Sequence, residues 1–238
     1  MKLAVIFIGT NQYLNFLPTW YESCEKYLAK NTKKTYFVFT DGELSGLPDN
    51  IIPYYQEHLS WPYITLYRWK TILRAKDKLR GFDYVLFLDA DMLLVDEVTE
   101  EDLFTDKRYI GVHHPCHFLG MEPHTNYPGA FETNKKSLAA VTREDDTSTY
   151  WQGCLWGGKL PYILGMIKEL ARRTTDDETR DMIALWHDES HLNKFFSEQK
   201  KYVHTLEPQF AYPEIFSEYC EFEPKIVHLA KENSNYHV

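Results

Sequence analysis

The chain has 238 residues, with 26 Lys+Arg against 35 Asp+Glu, a formal net charge of −9 at pH 7. Hydrophobic residues make up 44% and charged residues 26%, the composition of a soluble globular protein with ample core. The acidic balance lacks the basic footprint that nucleic-acid binding requires, and no apolar run approaches the roughly 18 residues of a membrane span, so neither a nucleic-acid partner nor a membrane span is expected.

Leu3 to Ile8 is a continuous apolar run that predicts a first strand. Gly9-Thr10-Asn11-Gln12-Tyr13 forms the turn at its carboxyl end, where ligands bind in open α/β sheets. Pro18 suits a helix start, and Tyr21, Cys24, Tyr27 and Leu28 keep helical spacing. Tyr36 to Phe39 and Ile51 to Tyr55 predict two more strands, an alternation that points to a parallel βαβ sheet. Trp61-Pro62 opens a second helix, with Leu66, Trp69, Ile72 and Leu73 on one face and an end near Gly81. Arg68 falls off that face, so the pattern alone reads it as a solvated surface charge.

Residues 83 to 95 hold the most informative stretch. Tyr84 to Leu88 suits a strand buried on both faces, and Asp89 and Asp91 follow at its end. Side chains two apart in extended backbone point the same way, so both carboxylates can face one point. Met92 to Val95 is apolar again, and two like charges between buried runs need a positive partner. A cation with oxygen ligands, Mn²⁺ or Mg²⁺, meets that need. The plainer alternative is a strand-to-loop boundary with Asp residues at a turn.

Tyr109 to Val112 predicts another strand, ending in His113-His114-Pro115. No third ligand is close in sequence, so these histidines are not read as a zinc site. Leu119 to Thr149 loses all periodicity, and a loop of that length is expected to fold over a substrate. Thr149 to Trp156 is strand-like, with Gly157-Gly158 as its break. Tyr162, Ile163, Met166, Ile167 and Leu170 mark an amphipathic helix. In the segment Trp186 to Asn193, Asp188 is placed as the cap of a helix burying Leu192, Phe195 and Phe196. Glu189 then lies in the first turn, where the helix dipole favours a carboxylate. Tyr202 to Leu206 and Ile226 to Leu229 are late short strands. Cys24, Cys116, Cys154 and Cys220 have no close spacing and read as free thiols of a reducing compartment. No linker or repeat interrupts the chain, so residues 1–238 are read as a single domain.

An α/β sheet thus carries Asp89-Ala90-Asp91 at a strand end and Trp186-His187-Asp188-Glu189 further on, while Arg68 and Lys231 are available to a diphosphate. Such a set fits group transfer from a nucleoside diphosphate, with a metal neutralising the leaving phosphates. At these residues the chain resembles glycosyltransferase family 6, which includes the ABO blood-group transferases and the α1,3-galactosyltransferase. Trp186 to Lys194 is similar to the family signature without interruption. Trp61 and Arg68 match its Trp-to-Arg helix, Asp89-Ala90-Asp91 its Asp-Val-Asp, His114-Pro115 its His-Pro, and Gly157-Gly158 its Gly-Gly.

The resemblance implies a GT-A fold: a Rossmann-like, mainly parallel central sheet with flanking helices. It implies a UDP-galactose or UDP-N-acetylgalactosamine donor, a glycan or glycoside acceptor, and α1,3 transfer with retention. Carried over by position, Ile8, Thr10, Tyr13 and Trp61 hold the uridine, Arg68 and Lys231 approach the diphosphate or the metal site, and Ala90 contributes its backbone near the ribose. His114, Gln152, Cys154 and Trp186 line the sugar pockets, Asp188 binds the donor sugar, and Glu189 faces the anomeric carbon. Short bacterial members can replace Asp-x-Asp by Asn-x-Asn; this chain keeps the carboxylates, which implies dependence on Mn²⁺ or Mg²⁺. Beginning at its first strand, without the anchor of the animal enzymes, the chain resembles a short bacterial or phage-type member, expected in the cytoplasm. Phe131 to Lys136 resembles the family's Phe-Thr-Tyr-Glu-Arg-Arg only loosely. Two alternatives stand beside this reading: another retaining GT-A transferase with His228 as a metal ligand, and a non-catalytic sugar-binding module.

Overall fold

The computed structural model describes residues 1–120, 129–215 and 223–231. Seven strands form the central sheet: β1 (Lys2–Ile8), β2 (Lys33–Thr40), β3 (Ile51–Tyr55), β4 (Tyr84–Leu88), β6 (Tyr109–His113), β7 (Trp151–Lys159) and β8 (Val203–Leu206). Their spatial order is β3-β2-β1-β4-β7-β6-β8. β1 runs parallel to β2 and β4, and β6 parallel to β8, whereas β7 is antiparallel to both its neighbours. A small second sheet joins β5 (Met92–Leu94), β10 (Ile226–His228) and β9 (Tyr212–Pro213). This is the mainly parallel sheet with flanking helices that the resemblance implies.

The apolar runs form strands because both faces are covered. Leu3, Val5 and Phe7 of β1 pack against α1 (Leu17–Tyr27) through Trp20 and Cys24, while Ala4 and Ile6 face the other layer with Trp69, Trp156 and Ile163. That second layer is built on α7 (Leu160–Glu178) and α8 (His187–Gln199), while α5 (Glu100–Leu103) and α6 (Pro115–Phe118) are single turns that precede and follow β6. Cys24, Cys116 and Cys154 are free and buried, in line with the sequence; Cys220 lies outside the described residues.

Three expectations are corrected. The helix predicted from Trp61 to Gly81 is three short pieces, α2 (Tyr63–Leu66), α3 (Arg68–Leu73) and α4 (Lys76–Leu79). Tyr67, with φ −94° and ψ 5°, interrupts the first two, so the angular position of Arg68 does not follow from one continuous 3.6-residue period. The strand placed at Thr149 to Trp156 starts at Trp151 and runs on through Gly157-Gly158 to Lys159. The glycines are there because β4 and β6 crowd β7 from both sides. A Cβ on Gly157 would meet Val85 O at 2.4 Å, and one on Gly158, with φ +142°, would meet Arg108 O at 2.2 Å.

Asp188 does not cap α8. The helix opens at His187, whose φ is +47°, behind Trp186, and no side chain caps it. Asp188 lies within the first turn beside Glu189, and its carboxylate is turned to Arg68 instead.

The long stretch after Leu119 is partly described. Residues 121–128 lie outside the description. From residue 129 the chain is pinned to the body: Ser137 Oγ donates to Asp177 Oδ2 of α7 at 2.6 Å, and Leu185 N–H donates to Glu132 Oε2 at 2.8 Å. Among the described residues no helix is long and apolar enough to cross a membrane.

Candidate active site

The carboxyl ends of β1 and β4 open onto one cavity, as expected for an open α/β sheet. It is lined by Ile8, Thr10, Tyr13, Trp61, Arg68, Asp89, Ala90, Asp91 and Lys231, all singled out in the sequence, and by His228. His58, Leu59, Ile64, Thr65 and Phe87 line it as well, and sequence reasoning missed them. The rule applied to the end of β1 had a signal for His58: it follows the carboxyl end of β3. Its Nδ1 lies 3.0 Å from Thr10 Oγ1, bridging the two strand ends.

Asp89-Ala90-Asp91 is the turn from β4 into β5. Asp89 N–H donates to Cys154 O at 2.9 Å, which fixes the turn against β7. Asp91 is 2% exposed and therefore needs compensation. His228 Nε2 lies 3.2 Å from Asp91 Oδ2, and Lys231 Nζ contacts the same oxygen. Gln152 Nε2 lies 3.3 Å from His228 Nδ1, so the tautomer that satisfies both contacts carries its proton on Nε2. Burial lowers the pKa of both His228 and Lys231.

Among the described residues no group of three His, Cys, Asp or Glu side chains is placed to hold a metal ion. Two carboxylates at one turn nevertheless suit a hard divalent cation that takes its remaining oxygens from substrate phosphates and water. The residues fit a cation shared with a diphosphate, not one caged by protein alone.

Arg68 joins this cavity to the signature helix, and the surface reading of it is overturned: it is 6% exposed. Its Nη2 lies 3.3 Å from Asp89 Oδ1, and Nη1 donates to Gly153 O at 2.9 Å. Nε lies 2.9 Å from Asp188 Oδ2, a close ion pair without the alignment of a hydrogen bond. The guanidinium also covers the Phe87 ring at 4.7 Å. One cation therefore meets carboxylates from two segments a hundred residues apart in the chain.

Glu189 sits behind that pair. Its Oε2 accepts from Gly153 N–H at 2.7 Å and its Oε1 from Tyr150 O–H at 2.8 Å. The donor N–H is free because pairing between β6 and β7 jumps from Gly111–Trp156 to Val112–Gln152, leaving residues 153–155 out of that ladder. A side chain at 153 would crowd the approach, since a Cβ there would lie 3.2 Å from Glu189 Cβ. Burial lifts the Glu189 carboxyl to about 7, against the pull of the Gly153 and Tyr150 donors. Burial likewise lifts Asp188 to about 6, with Arg68 opposing.

The remaining residues of the expected sugar pockets surround this layer rather than the cavity mouth. Gln152 reaches it through His228, and Gln152 Oε1 is buried without a hydrogen-bond partner. Cys154 is buried behind Asp89. His114 is 4% exposed and packs against Tyr150 with ring centroids 5.7 Å apart. Trp186 leads into α8, its backbone N–H donating to Ser190 Oγ at 2.8 Å. His187 lies edge-on to Trp61 at 4.7 Å, tying the helix start to the cavity rim.

Chemically, the site offers a cavity with two carboxylates and two basic side chains, joined through Arg68 to a pair of buried carboxylates whose ionisation lies near neutrality. Known proteins match this chain along most of its length. The model of the family described as Glycosyltransferase family 6 matches residues 1–237. The chain is 28% identical over 239 residues to the O-antigen biosynthesis glycosyltransferase WbnI of Escherichia coli, covering 100% of this chain and 98% of that protein. It is 25% identical over 210 residues to the human globoside alpha-1,3-N-acetylgalactosaminyltransferase 1, covering 84% of this chain and 58% of that protein. To the rat histo-blood group ABO system transferase 1 it is 25% identical over 219 residues, covering 88% and 60%. The chain thus spans nearly the whole of the bacterial relative and less than two thirds of these animal ones.

Proposed function

Because this chain belongs to glycosyltransferase family 6 and is a sugar-transferring enzyme, we propose that it moves galactose, or N-acetylgalactosamine, from a UDP-sugar to a galactoside-type acceptor in α1,3 linkage with retention. The observation that carries this reading is the bridge made by Arg68, which pairs with Asp89 at the cavity and with Asp188, and donates to Gly153, the residue whose N–H holds Glu189. Ile8, Thr10, Tyr13 and Trp61 hold the nucleoside, and Arg68 and Lys231 face the diphosphate. Asp188 holds a donor hydroxyl, and Glu189 faces the anomeric carbon as nucleophile or as stabiliser of its developing positive charge. His114, Gln152, Cys154 and Trp186 shape the sugar pockets. Asp89 and Asp91 would hold the divalent cation, which supplies Lewis-acid neutralisation of the leaving phosphates. An acceptor-glycan array with UDP-galactose and Mn²⁺ tests the reading: α1,3-linked product with retained configuration is expected. No transfer from either UDP-sugar, or an inverted product, refutes it.

Metal dependence has its own test. EDTA is expected to abolish turnover and Asp91→Asn to slow it by several orders of magnitude, since the phosphates then lose several kcal/mol of transition-state compensation. In calorimetry Mn²⁺ is expected to bind weakly alone and tightly with UDP, because two carboxylates leave most of its coordination to the ligand. Full turnover in EDTA would exclude the metal. The alternative in which His228 is a third ligand requires its Nε2, 3.2 Å from Asp91 Oδ2, to give up the proton it carries there. Loss of Mn²⁺ affinity in His228→Ala with UDP present supports that variant; unchanged affinity removes it.

For the donor, UDP-galactose is expected to have the larger kcat/KM. Cys154 stands at the family's donor-selecting position, where Gly makes room for an N-acetyl group and Ala favours galactose; Cys is bulkier than either. A pocket difference of this size discriminates by about 1–3 kcal/mol. The unpartnered Gln152 Oε1 is the opposing feature, since an acetamide N–H would satisfy it. An advantage for UDP-N-acetylgalactosamine in side-by-side kinetics reverses the assignment.

A further inference from the structure

We propose that Tyr150 is a positioning residue for transfer, its phenolic O–H orienting the Glu189 carboxylate and favouring its ionised form. The proposal rests on the reading of Glu189 given above and assigns a role to a residue outside the family signature. Tyr150 is fully buried, and its hydroxyl donates to Glu189 Oε1 at 2.8 Å. The opposite oxygen is held by Gly153 N–H, so the carboxylate is gripped at both ends by groups of β7 and the residue just before it. A carboxylate held by one donor can turn about its terminal torsion; held by two it cannot. The ring is itself fixed, edge-on to Phe131 at 4.9 Å and to His114 at 5.7 Å. The donor cannot rotate away without disturbing that packing.

The hydroxyl also acts on charge. Burial is the main influence on Glu189 and raises its pKa, and Asp188 adds to the rise. Gly153 N–H, Tyr150 O–H and Arg68 oppose it. Cys116, Cys154 and His228 also face Glu189; burial raises the pKa of both thiols and lowers that of the imidazole. Burial and the neighbouring carboxylates raise the phenol of Tyr150 well above its ordinary value, so it remains a proton donor throughout the working range.

Tyr150→Phe removes the hydroxyl and keeps the ring. The acid limb of its kcat/KM profile is expected to move up by about one pH unit, as for a lost hydrogen bond to a charged group. Its plateau kcat is expected to fall by about tenfold, while UDP binding and the melting temperature at pH 5 change little. Site-specific 3-fluorotyrosine at position 150 has a more acidic hydroxyl and is expected to move the limb the other way. A folded Tyr150→Phe with unchanged limb and plateau overturns the proposal, as does a 3-fluorotyrosine protein whose limb fails to shift downward. Glu189→Gln separates the two readings. If Glu189→Gln is inactive while Tyr150→Phe is unaffected, only the role of Tyr150 fails; if Glu189→Gln is fully active, the reading of Glu189 fails first.

Discussion

Glu189→Gln is expected to lower kcat by about 10²-fold or more while UDP and Mn²⁺ still bind. The amide has nearly the same size and can accept from Gly153 N–H in place of Oε2, so the fold around β7 is retained. What is lost is the negative charge, which retention at the reacting carbon needs either as a nucleophile or as a partner to a short-lived cation. With the wild-type carboxyl lifted to about 7 by burial, kcat/KM is expected to rise as pH passes through that value. Stability moves the other way. A carboxyl whose pKa is raised on folding contributes stability that is full below its unfolded value and is lost as pH rises through about 7. The Gln variant lacks this loss, so its melting temperature relative to wild type is expected to increase from pH 5 to pH 8. If Glu189 only supported the start of α8, the variant would lose ~1 kcal/mol or less and keep its turnover. Melting temperature and kcat measured on one preparation distinguish the two.

Arg68→Met is expected to destabilise the protein by about 3–5 kcal/mol near pH 8, the cost of leaving the buried Asp188 carboxylate without its cation. Asp188 is 5% exposed and loses its Nε partner, Asp89 loses Nη2, and Gly153 O loses its donor. The deficit is expected to shrink at pH 5. Asp188, already lifted to about 6 with Arg68 opposing, rises further in the variant and takes up a proton that removes the unpaired charge. Urea unfolding at the two pH values gives the comparison. A loss below about 1 kcal/mol and independent of pH would mean that Arg68 contributes packing on Phe87 alone. Arg68→Lys is expected to recover only part of the stability and little activity, because one ammonium cannot reach three acceptors that a planar guanidinium spans.

The sequence by itself determined the frame. Leu3 to Ile8, Tyr36 to Phe39 and Tyr84 to Leu88 become strands because an unbroken apolar run can be satisfied only by cover on both faces. The helical spacing from Ile163 to Leu170 becomes the buried face of α7 for the matching reason at period 3.6. Asp89 and Asp91 were legible because two charges between apolar runs are costly unless partnered; the extended backbone expected to aim both the same way is instead a turn, in which Asp89 meets Arg68 and Asp91 meets His228 and Lys231. Periodicity reports which face is buried, but it does not report what a buried polar group meets. That depends on which segments the topology brings together. Arg68 faces inward because Tyr67 resets the helix, Gly157-Gly158 continue a strand because two backbones flank them, and Asp188 turns to Arg68 rather than to its own helix end. Lys231 and His228 meet Asp91, and Tyr150 meets Glu189, across 140, 137 and 39 positions of chain. Those partnerships set the charge and orientation of the candidate catalytic groups, and only the tertiary structure decided them.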